Sequence, residues 1–180
     1  MLIKKETFGK MHGVYTTRNI NMGDSVFFYE DWIKDEKKGW IEISVEELNE
    51  FKTDIRKKFL KYSYDRDFGK IIGTLDYRQV RHISNFINHS CNPNLVYTES
   101  DTIIAKRDVL AGEELTLDYG SFIVNVDQDF VCGCNSLQCR TKILKNDWQT
   151  LFENGMNNFP VFIHNRLESF NYSVLSEARV

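Results

Sequence analysis

The sequence predicts a mainly β domain with short helices: one inserted helix and a helical tail. Three observations carry that expectation. A seven-residue pattern, R-[ND]-[IV]-x-x-G-[DE], occurs as RNINMGD at 18–24 and again as RDVLAGE at 107–113. Each copy follows a short run containing apolar residues (GVYTT, TIIAK) and precedes a strand-like run (SVFFY, ELTLDY), which reads as strand, tight glycine turn, strand. Ser44-Val45-Glu46-Glu47 forms a capping box ahead of an apolar series. Weaker helical periodicity falls at about 146–156 and 160–170.

Taken in chain order, alternating or β-branched runs place strands near 13–17, 25–31, 39–43, 70–75, 94–98, 102–107 and 114–118. The capped helix follows residue 44, with Leu48, Phe51, Ile55, Phe59 and Tyr62 on one face. Arg56, Lys57, Lys58 and Lys61 crowd its later half, where cations suit the negative end of the dipole and read as a solvated face. The echo is too short for a solenoid repeat and reads as two similar hairpins.

Bulk properties narrow the function classes. A chain of 180 residues is expected to form one domain and to bury about 70% of its unfolded surface. With two prolines, Pro93 and Pro160, and no low-complexity run, no linker divides it. A net charge of −3 argues against nucleic-acid binding through phosphate contacts and is compatible with a basic protein or peptide partner. The opening MLIKKETFGK has no apolar signal core, and no run has the length of a membrane span. The expected location is therefore intracellular, cytoplasm or nucleus, where clustered cysteines read as metal ligands; two disulfides in a secreted protein are the alternative.

The cysteines pose a sharper question. Residues 132–139, CGCNSLQC, hold three of the four in C-x-C-x4-C spacing. A structural zinc site takes four ligands. Either one of His12, His82, His89 and His164 completes it, or Cys91, within NHSCNPN at 88–94, folds back onto Cys132, Cys134 and Cys139. Cys91 could instead be a nucleophile activated by His89, which leaves the other three cysteines unexplained.

FINHSCNPN (86–94), GEELTLDYG (112–120) and CGCNSLQCR (132–140) occur in an order that resembles the SET domain followed by a cysteine-rich post-SET segment. The first two motifs together are specific, and the resemblance covers about residues 6–144. Its opening, K-G-x-G-V-x-A-x-R-x-I-x-x-G in the family, reads Lys10-Met11-His12-Gly13-Val14-Tyr15-Thr16-Thr17-Arg18-Asn19-Ile20-Asn21-Met22-Gly23 here, and Asp76 stands ten residues before Phe86 as a family Asp does.

The resemblance implies a SET fold of small curved β-sheets with knot-like threading, divided into a SET domain at 1–120 with a variable insert at about 31–72, a post-SET zinc segment at 121–144 and a helical tail at 145–180. It implies a protein-lysine methyltransferase using S-adenosyl-L-methionine and one structural zinc ion held by Cys91, Cys132, Cys134 and Cys139. It makes Tyr119 the principal catalytic residue and Tyr29, on the strand 25–31, a second tyrosine of the lysine channel; core packing is the alternative for both. Lys10, Met11, His12 and Gly13 form the first cofactor loop, and Asn88 and His89 also hold the cofactor, with a purely structural imidazole as the alternative for His89. Leu117 lies where many members carry Phe or Tyr. Without a hydroxyl it leaves room for a methylated amine, so products beyond monomethyllysine are expected. Leu144 and Trp148 are candidates for hydrophobic cover at the lysine exit, or for ordinary packing. Glu30, Asp31, Asp35 and Glu36 could favour a basic peptide or be solvated charges.

The chain departs from the family pattern at Met11, Arg81-His82, Asn85 and Thr141, which bears on cofactor affinity and not on Tyr119. A lysine-containing protein or peptide is the implied substrate, a histone tail the conventional first candidate. The rival is a non-catalytic SET module that binds peptides or partner proteins.

Overall fold

The two copies of the echoed pattern meet face to face and cap each other. In the computed structural model, which describes residues 1–7, 10–36 and 39–177, Ile20 and Val109 form an antiparallel bridge with both N–H···O bonds at 2.9 Å. The variable N/D position then works in trans. Asn19 Oδ1 accepts from the Ala111 N–H at 2.9 Å, and Asp108 Oδ1 accepts from the Met22 N–H at 2.8 Å. The final acid works in cis: Asp24 accepts from the Asn21 N–H and Glu113 from the Leu110 N–H, each at 2.9 Å. Gly23 and Gly112 turn at φ 87° and 93°, a region that penalises a Cβ. The pattern thus encodes a local two-fold pair of turns, each capping bond contributing about 1 kcal/mol.

Around this pair the chain runs β1 (Leu2–Thr7), β2 (Lys10–Thr16), β3 (Ser25–Phe27), α1 (Tyr29–Glu36), β4 (Ile41–Ser44), α2 (Val45–Glu50), α3 (Thr53–Leu60), β5 (Ser63–Asp67), β6 (Lys70–Gly73), β7 (Asn88–His89), β8 (Leu95–Tyr97), β9 (Ile103–Ala105), β10 (Glu114–Leu117), α4 (Asp147–Glu153) and α5 (Val161–Glu177). Among the described residues these strands make three small sheets, ordered β1-β2-β10-β7, β3-β9-β8 and β4-β6-β5. The pairings are antiparallel except β10 with β7, which is parallel. Alternation on β10 sends Leu115 and Leu117 into the main core beside Val14, Ile87 and Leu95, leaving Glu114 and Thr116 on the other face. The mainly β expectation with short helices holds. No helix among the described residues is long and apolar enough to cross a membrane.

Two local expectations are corrected. The single helix after Ser44 is two helices, broken at Phe51 and Lys52, whose ψ values are 140° and 148°. In one straight helix Leu48 and Phe59 would lie about 16 Å apart. The break lets both bury completely in one cluster with Ile43 and Ile71 over the β4-β6-β5 sheet, with Phe51 edge-on to Phe59 at 5.8 Å. The capping box itself forms: Ser44 accepts from the Glu47 N–H at 3.1 Å, and Glu47 Oε2 from the Ser44 N–H at 2.7 Å. The strand expected at 25–31 ends at Phe27, because Asp31 Oδ2 takes the Phe28 N–H at 3.3 Å and the acidic first turn starts α1 at Tyr29. Strands β1, β5 and β7 have no counterpart among the expected elements.

Asp65 ties the insert sheet to the segment after Tyr119. Its Oδ2 accepts from the backbone N–H groups of Val124 and, at 2.9 Å, Asn125. Burial nevertheless outweighs these bonds and pushes its carboxyl up to about 6, from 3.8. Between those values the native state binds more protons than the unfolded chain, so stability falls as pH rises through that window and levels above it. Urea unfolding from pH 4 to 7.5 is expected to show the protein losing about 2.5 kcal/mol relative to Asp65→Asn, a comparison in which any metal contribution is common to both. Parallel curves for the two proteins would refute the buried acid.

Candidate active site and metal centre

The parallel pairing of β7 with β10 brings the two most informative motifs together. Asn88 lies against Thr116 and His89 against Leu117, and the Ser90 N–H donates to the Leu117 carbonyl at 3.0 Å. Where β7 ends, the buried side chain of Asn94 continues the ladder: its Nδ2 donates to the Glu114 carbonyl at 2.8 Å and its Oδ1 accepts from the Thr116 N–H at 2.9 Å. Sequence reasoning gave Asn94 no role; its place in the motif was the available signal.

Tyr119 stands half-buried at the end of this ladder. Its hydroxyl donates to the Ile87 carbonyl at 2.7 Å, and burial, then the charge of Glu114, pushes its pKa up, so it stays a neutral phenol. Its N–H donates to Nδ1 of His89 at 3.1 Å. That bond makes Nδ1 the acceptor and assigns the imidazole proton to Nε2, which lies 3.2 Å from Cys91 Sγ. His89, 6% exposed, therefore joins the tyrosine backbone to a cysteine of the cluster.

The four cysteines converge. Sγ of Cys91, Cys132, Cys134 and Cys139 all lie within 4.8 Å of one another, and the Cys91–Cys132 separation is 3.9 Å. Zinc–sulfur bonds of about 2.3 Å in a tetrahedron give edges of about 3.8 Å, so the donor set fits one zinc ion. Burial pushes the Cys132 thiol up to about 12, and a bound cation would supply the charge that holds it as a thiolate. The Arg140 N–H donates to Cys91 Sγ at 3.4 Å, a bond suited to a thiolate.

Arg140 does more than flank the cluster. Its guanidinium forks onto buried Asp118, through Nη1 to Oδ2 at 2.9 Å and through Nη2 to Oδ1, and its Nε lies 3.1 Å from Asp147 on α4. Asp118 also caps its own turn through the Gly120 N–H at 2.9 Å. A Cβ on Gly120 would stand 2.8 Å from Asp147 and 2.9 Å from the guanidinium, so the D-Y-G sequence makes room for the pair. Sequence reasoning assigned Arg140 no role. A buried aspartate beside the tyrosine needed a cation, and the arginine following the last cysteine was the available signal.

Of the expected cofactor residues, His12, Gly13 and Asn88 lie on the other side of β7, whereas the His89 ring is turned to Tyr119 and Cys91. Asn88 Nδ2 donates to the His12 carbonyl at 2.8 Å and to Glu114 Oε1 at 2.6 Å. Gly13 is buried opposite Lys5 in the β1–β2 pair. Lys10 and Met11 begin β2, and their side chains lie outside what is described, as do those of Asp35 and Glu36. Nδ1 of His12 is buried without a hydrogen-bond partner, an orphan that a polar group of a bound cofactor beside Asn88 would satisfy.

A cavity of about 260 Å³ opens beside Tyr119. Tyr29, Leu117 and Tyr119 share its wall. Tyr29 is fixed by Arg66, whose Nη2 donates to its hydroxyl at 3.0 Å. Leu144 and Trp148 do not line the cavity: Trp148 packs with Val124, Phe159 and Ile163 and edge-on to Phe68 at 5.5 Å, and Leu144 is 41% exposed. The apolar cover comes from Pro160, Val161 and Phe162 instead.

A family model described as SET domain matches residues 11–120. Histone-lysine N-methyltransferase SUV39H1-A of Danio rerio is 31% identical over 140 residues, 72% of this chain and 32% of that protein. Histone-lysine N-methyltransferase 2B of Homo sapiens is 32% identical over 145 residues, 71% of this chain and 5% of that protein. Probable histone-lysine N-methyltransferase set-23 of Caenorhabditis elegans is 37% identical over 81 residues, 40% of this chain and 33% of that protein. The chain spans about a third or less of the length of these relatives.

The cluster predicts one zinc per chain by elemental analysis, and an apparent zinc affinity lowered by more than about a hundredfold in Cys91→Ser. Undiminished zinc binding in that variant would remove Cys91 from the ligand set.

Proposed function

The chain belongs to the SET-domain family, and on that premise we propose that it is a protein-lysine methyltransferase. When bound, S-adenosylmethionine supplies a methyl group on a cationic sulfur, which an amine attacks in line as the carbon–sulfur bond breaks. The observation that carries this reading is the neutral hydroxyl of Tyr119 in one cavity with Tyr29 and Leu117. The same reading divides the chain into a SET domain at 1–120, a zinc segment at 121–144 and a tail from 145. The curated relatives are histone-lysine methyltransferases by name, which makes core histones the first substrates to try.

Lysine ordinarily titrates near 10.4, so the acceptor must shed a proton before it can react. The aromatic and aliphatic part of the cavity wall, including Leu117, Tyr119 and Phe122, disfavours its charged form. The Tyr119 hydroxyl keeps its proton and engages it in a hydrogen bond to the Ile87 carbonyl. Its lone pairs remain to accept an amine N–H, which aims the nitrogen lone pair along the line of transfer. Arg66 holds the Tyr29 hydroxyl in the wall. Leu117 presents no hydroxyl to hold a water or the amine, so a methylated amine can still rotate and react again. Cys91, Cys132, Cys134 and Cys139 hold zinc in this reading, pinning the segment after Tyr119. His12, Gly13 and Asn88, with the backbone at Lys10 and Met11, form the cofactor side, and the His89 ring backs the turn at Tyr119.

Labelled S-adenosylmethionine with core histones and a whole-cell lysate tests the reading. Label on a discrete protein, lowered about a hundredfold in Tyr119→Phe, is the expected result. No label from a folded, metal-bound protein would favour the binding-only module. For product degree, mass spectrometry is expected to find di- or trimethyllysine with the native chain and a shift to monomethyllysine in Leu117→Tyr. Monomethyl product from both would refute the role of Leu117.

A further inference from the structure

The turn between β8 and β9 carries a costly residue. Asp101 adopts φ 57°, left-handed backbone that most residues avoid. The turn closes without its side chain, through the Thr98 N–H to the Thr102 carbonyl at 2.8 Å and the Asp101 N–H to the Thr98 carbonyl at 3.1 Å. Glycine would meet the backbone demand at less cost. Burial also pushes the Asp101 carboxyl up, with the Val161 N–H, Arg66 and His164 acting the other way. Backbone strain and desolvation are both carried by a side chain that the turn does not need.

That side chain reaches out of its hairpin. Asp101 Oδ1 accepts from the Val161 N–H at 2.8 Å, at the first residue of α5. Pro160, which precedes it, has no side-chain oxygen to cap the helix, so the cap comes from a distant turn and brings an anion to the positive end of the dipole. Asp101, Pro160, Val161 and Phe162 all line the cavity that holds Tyr119. A second strand of contacts runs the same way. Asn158 Nδ2 donates to the Tyr97 carbonyl at 3.3 Å, Tyr97 packs on Phe122 at 5.5 Å, and Phe122 on Tyr119 at 5.4 Å.

We propose that Asp101 is a positioning residue that latches the first turn of α5 into the wall of the acceptor cavity, so that the C-terminal helix takes part in fitting the methyl acceptor. The inference rests on the methyl-transfer reading of that cavity. It assigns Asp101 no contact with the reacting atoms. Its effect reaches the acceptor through Pro160, Val161 and Phe162.

Asp101→Gly separates this role from a turn role, because it relieves the backbone while removing the carboxylate. It is expected to raise the acceptor KM about tenfold with the cofactor KM unchanged, and to speed amide exchange at Val161 and Phe162 about tenfold. Asp101→Asn, which keeps both the left-handed conformation and an accepting oxygen, is expected to restore most of both. Native exchange at Val161 in Asp101→Gly would overturn the latch, whether or not the chain methylates anything. Faster exchange with an unchanged acceptor KM, or with a cofactor KM rising in step, would overturn its part in acceptor fitting. A wild-type protein that transfers no methyl group would sink the methyl-transfer reading, and with it acceptor fitting, while exchange still decides the latch.

Discussion

The buried carboxylate of Asp118 is the constraint on which the site depends. An unpaired carboxylate in the interior is prohibitively costly, so the chain must bring a cation to it. That cation is Arg140, twenty-two residues downstream and next to the last cysteine. Once the fork closes, the cysteine segment has to run beside Tyr119, and the Arg140 N–H meets Cys91. Asp147 on the same guanidinium draws in α4. A single ion pair therefore orients the tyrosine turn, the cysteine cluster and the start of the helical tail together, and disturbing any one of them loads the other two.

The echoed turns supply the other half of the frame. Their bridge at Ile20 and Val109 aligns β2 with β10, whose register sets Glu114 against Tyr15 and Leu115 against Val14. Two residues further along β10 comes Leu117, and two more bring Tyr119. A slip of one residue would turn Leu115 and Leu117 out of the core, so the capped turns, although they touch none of the reacting groups, decide which side chains face the cavity.

What was legible in the sequence follows the range of the interactions. The capping box and the glycine turns are written in runs of four to seven residues, and both formed where the runs lie. The cysteine convergence could be posed from the sequence as a question of the missing ligand. The broken helix was hidden because Leu48 and Phe59 fit one straight helical face in sequence, and only the shared cluster beneath them demands a bend. Tyr29 was misjudged as strand because Asp31, an unremarkable acid in the run, captures the Phe28 N–H. For Trp148 channel cover and ordinary packing were both open, and its partners Phe159 and Ile163, further along the chain, make it packing. Arg140, Asn94 and Asp101 act across 20 to 60 residues of chain, and a local pattern can mark such a residue but does not name its partner.

The tautomer of His89 joins the cysteine cluster to the Tyr119 backbone. Because the Tyr119 N–H occupies Nδ1, the imidazole can offer Cys91 only a donor. A thiolate welcomes that donor, and a metal-bound thiolate welcomes it most stably. A neutral Cys91 thiol, by contrast, is a weak acceptor, and the ring would lose the bond that fixes its rotation. The backbone of Tyr119 would then hang from an imidazole held on one side only, beside a buried aspartate 3.8 Å away. A zinc ion held by the four cysteines would thus be linked to the Tyr119 backbone through one ring and two hydrogen bonds.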